Sequence, residues 1–256
     1  MVIDVVSYNG EKELFELRYN ILKDFVDEFR VIEFDQTFSG KPKSPLFAQS
    51  WPKIKSYFIT KDIWSKYEEL AKSSPNTEYG QGAKHWITEF CQKESIKDCL
   101  TDLSRYDMIF IGDCDEIWDS SAFKVDLPAK LKLKVYSYYL NNKSSEDFWG
   151  TLIVTPHQLK GACLNHLRSN PYIQTIDEYG WHFTSIGGPN KVKNKLTDSY
   201  TNDSYANDWV LNNLEQNILD NKDFMGRDFK YTISEEEWPQ YLRNNKDKYK
   251  HLCLMN

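Results

Sequence analysis

The feature that most constrains this chain is the alternation of short apolar runs and amphipathic segments across its first half. Val2 to Tyr8 is apolar and β-branched and reads as a buried strand. Asn9 and Gly10 mark a turn. Glu11 to Phe25 then places Leu14, Leu17, Ile21 and Phe25 on one helical face. Phe29 to Phe34 reads as a second strand, and a polar Gly/Pro-containing loop runs from Thr37 to Pro45. Lys55 to Ile59 reads as a third strand, Asp62 to Lys72 as a helix, Ser73 to Gln81 as a loop, and Ala83 to Leu103 as a long helix. Asp107 to Gly112 is a further buried strand, and it runs directly into Asp113-Cys114-Asp115-Glu116. Alternation of this kind predicts an α/β fold with a mostly parallel central sheet flanked by helices.

Beyond Glu116 the pattern changes. Val135 to Leu140 and Leu152 to Thr155 read as strands able to run antiparallel. Leu159 to Leu167 reads as a short helix, and Trp181 to Thr184 as a short strand leading to the Gly187-Gly188 turn. Tyr205 to Leu219 is amphipathic, and Trp238 to Lys250 reads as a last helix. There are no repeats, low-complexity tracts or linkers, so the expectation is one domain over 1–256.

Composition narrows the function classes. The net charge is −6 and no Lys/Arg block stands out, which argues against nucleic acid as a partner. An acidic surface also repels phosphate substrates unless a cation mediates. Aromatics reach 15% of the chain, which fills a core and suits stacking on sugar faces. The five cysteines are odd in number and form no CxxC pair, so neither a disulfide framework nor a structural zinc site is expected. No leader pattern occurs, and no run approaches the ~18 apolar residues of a transmembrane helix. The expected compartment is the cytoplasm, of a bacterium or of a virus's host.

Four clusters carry chemistry. In open α/β sheets ligands bind at the carboxyl ends of strands, where the Asp113–Glu116 acids sit. Acids packed this closely raise one another's pKa, and a divalent cation relieves the repulsion. Carboxylate oxygens are the hard donors that Mg²⁺ or Mn²⁺ prefers, with phosphate oxygens completing the shell. Gly180-Trp181-His182-Phe183 offers an imidazole that would complete a carboxylate/imidazole site. The loop from Thr37 to Lys43 brings Lys41 and Lys43, which are either surface residues or phosphate contacts. Trp86, Glu89, Gln92 and Lys93 share a helix face that is either solvated or turned to the same cleft.

These motifs, taken in order, resemble glycosyltransferase family 17, the family of the β-1,4-mannosyl-glycoprotein N-acetylglucosaminyltransferase. The family's N-terminal helix pattern is similar to Glu11, Leu14, Leu17 and Arg18, and its E-S-x-x-T-F-S-G-K-x-K segment to Glu33 and Thr37–Lys43. Its W-x-x-E-x-x-Q-R resembles Trp86, Glu89 and Gln92, with Lys93 in place of Arg. Its D-x-D-E-I matches Asp113 to Ile117, with Trp118 where a Pro is usual. Trp149-Gly150-Thr151, Gly180-Trp181-His182, Asp208 and Pro239 to Asn245 are similar to later family motifs.

The resemblance implies a GT-A-like nucleotide-sugar-binding fold with a helical C-terminal segment. It implies inverting transfer to a glycan acceptor from a nucleotide-diphospho-sugar, UDP-GlcNAc as the best guess, with Mn²⁺ or Mg²⁺. The donor-binding half is then 1–118, the acceptor-side half 119–200, and the helical segment 201–256. The expected metal ligands are Asp113, Asp115 and His182. The expected donor-binding residues are Arg18, Glu33, Phe38, Gly40, Lys41, Glu89, Lys93, Asp113, Trp149 and Trp181. Asp177, Glu178 and Asp208 are candidate bases, and Glu116 is assigned to the acceptor or the metal shell. Two alternatives remain at this point: a haloacid-dehalogenase-like phosphatase using Asp113, and a non-catalytic carbohydrate-binding protein.

Overall fold

A computed structural model of the chain describes residues 1–74, 84–199 and 206–254. Four parallel strands form its centre. β1 (Val2–Ser7) is flanked by β2 (Glu28–Phe34) and by β4 (Met108–Asp113), and β2 pairs with β3 (Ile54–Ile59). α1 (Lys12–Leu22) links β1 to β2. α2 (Lys61–Trp64), α3 (Glu68–Lys72) and α4 (Lys84–Ser95) lie between β3 and β4. The centre of β4 is apolar at every position because both faces are covered. Ile109 and Ile111 join Ile3, Val5 and Phe90 on one side, while Phe110 joins Val6, Phe15 and Trp118 on the other.

The second half adds β5 (Glu116–Trp118), β6 (Ala129–Ser137), β7 (Asn142–Ser144), β8 (Phe148–Val154), α5 (Pro156–Leu159), α6 (Leu164–Ser169) and β9 (Gln174–Thr184). α7 (Gly188–Ser199), α8 (Asp208–Leu219), β10 (Tyr231–Ile233), α9 (Gln240–Asn244) and α10 (Lys246–Tyr249) follow. β8 runs antiparallel to β4 and β6 antiparallel to β8, giving the order β10-β7-β6-β8-β4-β1-β2-β3. A parallel β3-β2-β1-β4 half carrying the acid motif, continued by an antiparallel β8, is the expected GT-A-like α/β arrangement. No described helix is long and apolar enough to cross a membrane.

Several elements differ from the sequence expectation. α1 ends at Leu22, so Phe25 falls beyond it and is 44% exposed. Its buried face is Leu14, Phe15, Leu17, Arg18, Tyr19 and Leu22. The helix expected from Asp62 to Lys72 is broken by a 3-10 turn at Ser65–Tyr67. The long helix stops at Ser95 and passes into the 3-10 turn Ile96–Leu100. Pro156–Leu159 and Leu164–Ser169 replace a single helix, and the C-terminal helix is likewise split. β5, β7 and β10 have three residues each, too few for a periodic signal. Among the described residues of α7 the buried side chains are Val192 and Leu196, in a sequence otherwise polar. Most of the expected 73–81 loop, and the expected start of α8 at Tyr205, lie outside the described residues.

Two local devices hold the acid motif in place. The first is Arg18, which is fully buried. Its Nε and Nη2 donate to both Asp4 carboxylate oxygens at 2.7 Å, and Nη1 donates to the main-chain carbonyls of Asp113 (3.1 Å) and Glu116. Trp118 Nε1 donates to the same Asp4 at 2.8 Å, and its ring stacks on Phe110 with centroids 3.8 Å apart. Arg18 thus clamps β1 to the turn that carries Asp113, Cys114 and Asp115. The second device is the antiparallel pairing of β5 with β9, which sets Glu116 opposite His182, Ile117 opposite Trp181 and Trp118 opposite Gly180. Gly180 has φ +147, and a Cβ there would lie 2.2 Å from the Ile117 carbonyl oxygen. Only glycine lets the strands meet.

Gly180→Ala should therefore lower Tm by roughly 5–10 °C in a thermal melt, on the order of 2–3 kcal/mol. Arg18→Met strands the buried Asp4 carboxylate, and a loss of ~3–5 kcal/mol is expected. A melt of Arg18→Met within about 2 °C of wild type would show that the clamp contributes little.

Candidate active site

A cavity of about 380 Å³ opens at the carboxyl ends of β1, β2 and β4, where Ser7, Tyr8, Phe34 and Asp113 line its wall. Asp115, Glu116 and His182 line it as well. The two distant motifs meet because β9 lies beside β5, and the Phe183 N–H also donates to the Asp115 carbonyl at 2.9 Å. His182 Nε2 lies 3.7 Å from Asp115 Oδ2, and the Phe148 ring stacks on the imidazole with centroids 3.9 Å apart.

The acids do not raise one another's pKa uniformly, as their proximity alone predicts. Basic side chains from three elements compensate them. Lys93 of α4 lies 3.6 Å from Asp113 Oδ2, Arg168 of α6 lies 3.5 Å from the same oxygen and 3.4 Å from Glu116, and Lys195 of α7 lies 3.5 Å from Asp115. Burial works against ionisation of Asp113, but Lys93 and Arg168 outweigh it and hold the carboxyl below its ordinary value. Burial is likewise outweighed at Asp115 by Lys195 and His182, and this carboxyl is held well below the usual range. Glu116 goes the other way: burial, helped by Asp113, lifts its carboxyl despite Arg168. His182 is raised, because Asp115 and then Glu116 outweigh the effect of its burial.

Glu116 is built into the floor. It is 2% exposed and receives the Thr151 hydroxyl at 3.3 Å. A Cβ on Gly112 would lie 2.6 Å from its Oε2, and one on Gly150 would lie 2.8 Å from its carboxyl carbon. Arg168 is placed through α4: buried Glu94 accepts the N–H groups of Leu164 and Asn165, each at 3.2 Å, at the start of α6.

For a divalent ion, Asp113 and Asp115 offer hard oxygen donors, and the buried Nδ1 of His182 has no hydrogen-bond partner. Among the described residues no group of three or more His, Cys, Asp or Glu side chains is placed to hold a metal ion. Asp113 and Asp115 by themselves offer the oxygen donors that Mg²⁺ or Mn²⁺ takes when water and substrate phosphate oxygens complete the shell.

The remaining expected residues divide. Phe38, Glu89 and Lys93 line the cavity, with Glu89 paired to Lys93 at 2.6 Å. Arg18 does not line it, being spent on Asp4 and the turn carbonyls. Glu33 is also behind the wall, where its carboxylate accepts the N–H groups of Leu46 (2.8 Å) and Phe47 (3.0 Å). Gly40 takes φ +87 in the loop, and Lys41 reaches the Thr197 carbonyl at 3.4 Å rather than the cavity. Trp149 and Trp181 are not stacking platforms in the cavity. Their indole N–H groups donate to the carbonyls of Thr175 (2.8 Å) and Glu237 (2.6 Å). Asp177, Glu178 and Asp208 are exposed and off the cavity, because β9 extends outward before Gly180 and Asp208 opens α8 on the surface.

The structure adds Glu146, Lys195, Asp223 and Arg227, which carried no motif signal, and it also places Glu11 and Lys43 of the N-terminal motifs in the cavity lining. All five cysteines are free thiols, and burial pushes the Cys114 thiol well up, which leaves it inert beside the acids.

The description of glycosyltransferase family 17 matches residues 1–186. No curated protein matches the chain. Among solved structures, an active-site mutant of LgtC is 11% identical with a TM-score of 0.33, over 64% of this chain and 61% of that one. The galactosyltransferase LgtC in complex with donor and acceptor sugar analogues is 8% identical with a TM-score of 0.34, over 100% of this chain and 98% of that one. Mouse xyloside xylosyltransferase 1 in its apo form is 8% identical with a TM-score of 0.28, over 66% and 69%. The family match spans well over half of the chain and every motif from Glu11 to His182, so the chain belongs to glycosyltransferase family 17.

Proposed function

We propose that this glycosyltransferase moves a sugar from a nucleotide-diphospho-sugar, UDP-GlcNAc as the best candidate, to a glycan hydroxyl with inversion at the anomeric carbon. Asp113 and Asp115, with His182, would hold a divalent ion for the donor diphosphate. One observation carries this reading. In a chain of net charge −6, Lys93 and Lys195 line the cavity within 3.6 Å of the acid motif, and Arg168 stands outside the lining at 3.5 Å from Asp113. Acids suit a cation, and Lys93 and Lys195 in the lining suit the phosphate oxygens that a cation brings with it.

A bound Mn²⁺ or Mg²⁺ would supply Lewis-acid stabilisation of the departing diphosphate. The depressed carboxyls of Asp113 and Asp115 keep both residues anionic at neutral pH. Lys93 and Lys195, both in the lining, would neutralise charge that grows on the leaving group. Residues 1–118 supply the donor wall and 119–200 the acceptor side. Segment 201–256 contributes Asp223, Phe224 and Arg227 to the cavity. Family membership sets aside the phosphatase and the non-catalytic binding protein.

Thermal unfolding with UDP, GDP or CMP, each with Mn²⁺ or EDTA, tests the donor class. UDP at ~100 times its Kd should add about 2.7 kcal/mol, roughly 5–10 °C in Tm, and only with Mn²⁺ present. Asp115→Asn should abolish the Mn²⁺-dependent part of that shift while melting near the wild-type temperature alone. If no nucleotide shifts Tm with or without metal, the donor assignment is wrong.

A further inference from the structure

Seven carboxylates of the described residues line the cavity: Glu11, Glu89, Asp113, Asp115, Glu116, Glu146 and Asp223. Six are committed elsewhere. Asp113 and Asp115 face the proposed ion, Glu116 is sunk into the floor, and Glu89 is paired with Lys93. Glu11 stands at the β1–α1 turn on the donor side, accepting the Asn9 N–H at 2.6 Å. Asp223 is 1% exposed and saturated: it accepts from Arg227 Nε (3.0 Å) and Nη2 (2.8 Å), from the Met225 N–H (3.0 Å) and from the Tyr231 hydroxyl (3.3 Å).

Glu146 differs. It sits in the connection from β7 to β8, on the acceptor-side half, and its N–H donates to Ser144 Oγ at 3.1 Å. The neighbouring Ser145 is stitched to Lys230 in both directions, at 2.8 and 2.9 Å, so the connection is held against the segment that carries Arg227. The nearest cation, Arg227 Nη1, lies 3.4 Å from Oε1 at the limit of a hydrogen bond. Phe148, two residues on, stacks on His182, which fixes this connection beside the Asp115 end of the cavity.

We propose that Glu146 is the general base of the transfer. It takes the proton from the acceptor hydroxyl as that oxygen attacks the anomeric carbon. This rests on the inverting transfer proposed above. The acceptor oxygen forms the new bond to the anomeric carbon. The bond from that carbon to the phosphate oxygen breaks, its electron pair leaves with the nucleoside diphosphate, and the proton ends on the Glu146 carboxylate. Burial lifts this carboxyl above its ordinary value, against Arg227 and His182, which makes it a stronger base than an exposed glutamate.

The test starts from UDP-, GDP- and CMP-sugars with water and free oligosaccharides as acceptors, to find a turnover for the wild-type protein. For that reaction Glu146→Gln should lower kcat by about 10²–10⁴-fold. Its Kd for UDP in Mn²⁺ should stay at the wild-type value. Retention of kcat within about tenfold, or a loss of UDP binding in step with kcat, overturns the proposal. If Glu146→Gln does not fold, Glu146→Asp decides instead: lowered kcat at unchanged UDP Kd supports the base, and wild-type kcat overturns it. A wild-type protein that turns over no donor removes the transfer reading itself, which is distinct from an active enzyme indifferent to Glu146.

Discussion

The site depends first on a guanidinium that never meets water. Arginine cannot shed its proton inside a protein, so Arg18 must find its compensation in the fold. It finds a full carboxylate in Asp4 and two main-chain carbonyls at the two ends of the acid turn. Because Asp4 lies in β1 and the carbonyls flank Cys114 and Asp115, the same ion pair that closes the core also fixes where the carboxylates point. Trp118 completes the arrangement by donating to Asp4 from β5. A motif that looks like three surface acids around a cysteine is thus supported from beneath by a buried charge.

Above that turn, electrostatics are balanced locally rather than by the chain as a whole. The net charge is negative, yet each acid of the motif has a basic neighbour drawn from α4, α6 or α7. Burial alone would push every one of these carboxyls up. The outcome follows the number of cations at hand: Asp113 and Asp115 are held down, while Glu116, deeper and flanked by Asp113, is lifted.

The sequence carried the frame of this site and much less of its furniture. The Met108–Gly112 run was legible because a strand covered on both faces has no polar position to obscure it. The acids following it were legible because strand ends in α/β sheets are where ligands bind. His182 could be joined to them only through resemblance, since nothing local in Gly180–Phe183 shows that β9 lies beside β5. The expected bases lie off the cavity for a related reason: Asp177 and Glu178 belong to the exposed start of a strand longer than its apolar end. The two tryptophans expected to bind the donor lie outside the cavity lining, each with its N–H turned to a main-chain carbonyl, which their motifs alone do not show. Lys195 and Arg227 lie in segments with little periodicity, and their roles come from tertiary placement alone.

The meeting of β5 with β9 also bears on when the protein becomes competent. Asp115 and Glu116 are synthesised well before His182, and the β1–β4 pairing likewise joins segments far apart in the chain. Such contacts must first overcome loop-closure entropy, so they form late and slow the folding of the whole. A nascent chain still short of His182 has no imidazole to face the acids. The catalytic geometry has no local precursor, and it comes into being only with the closing of the global topology.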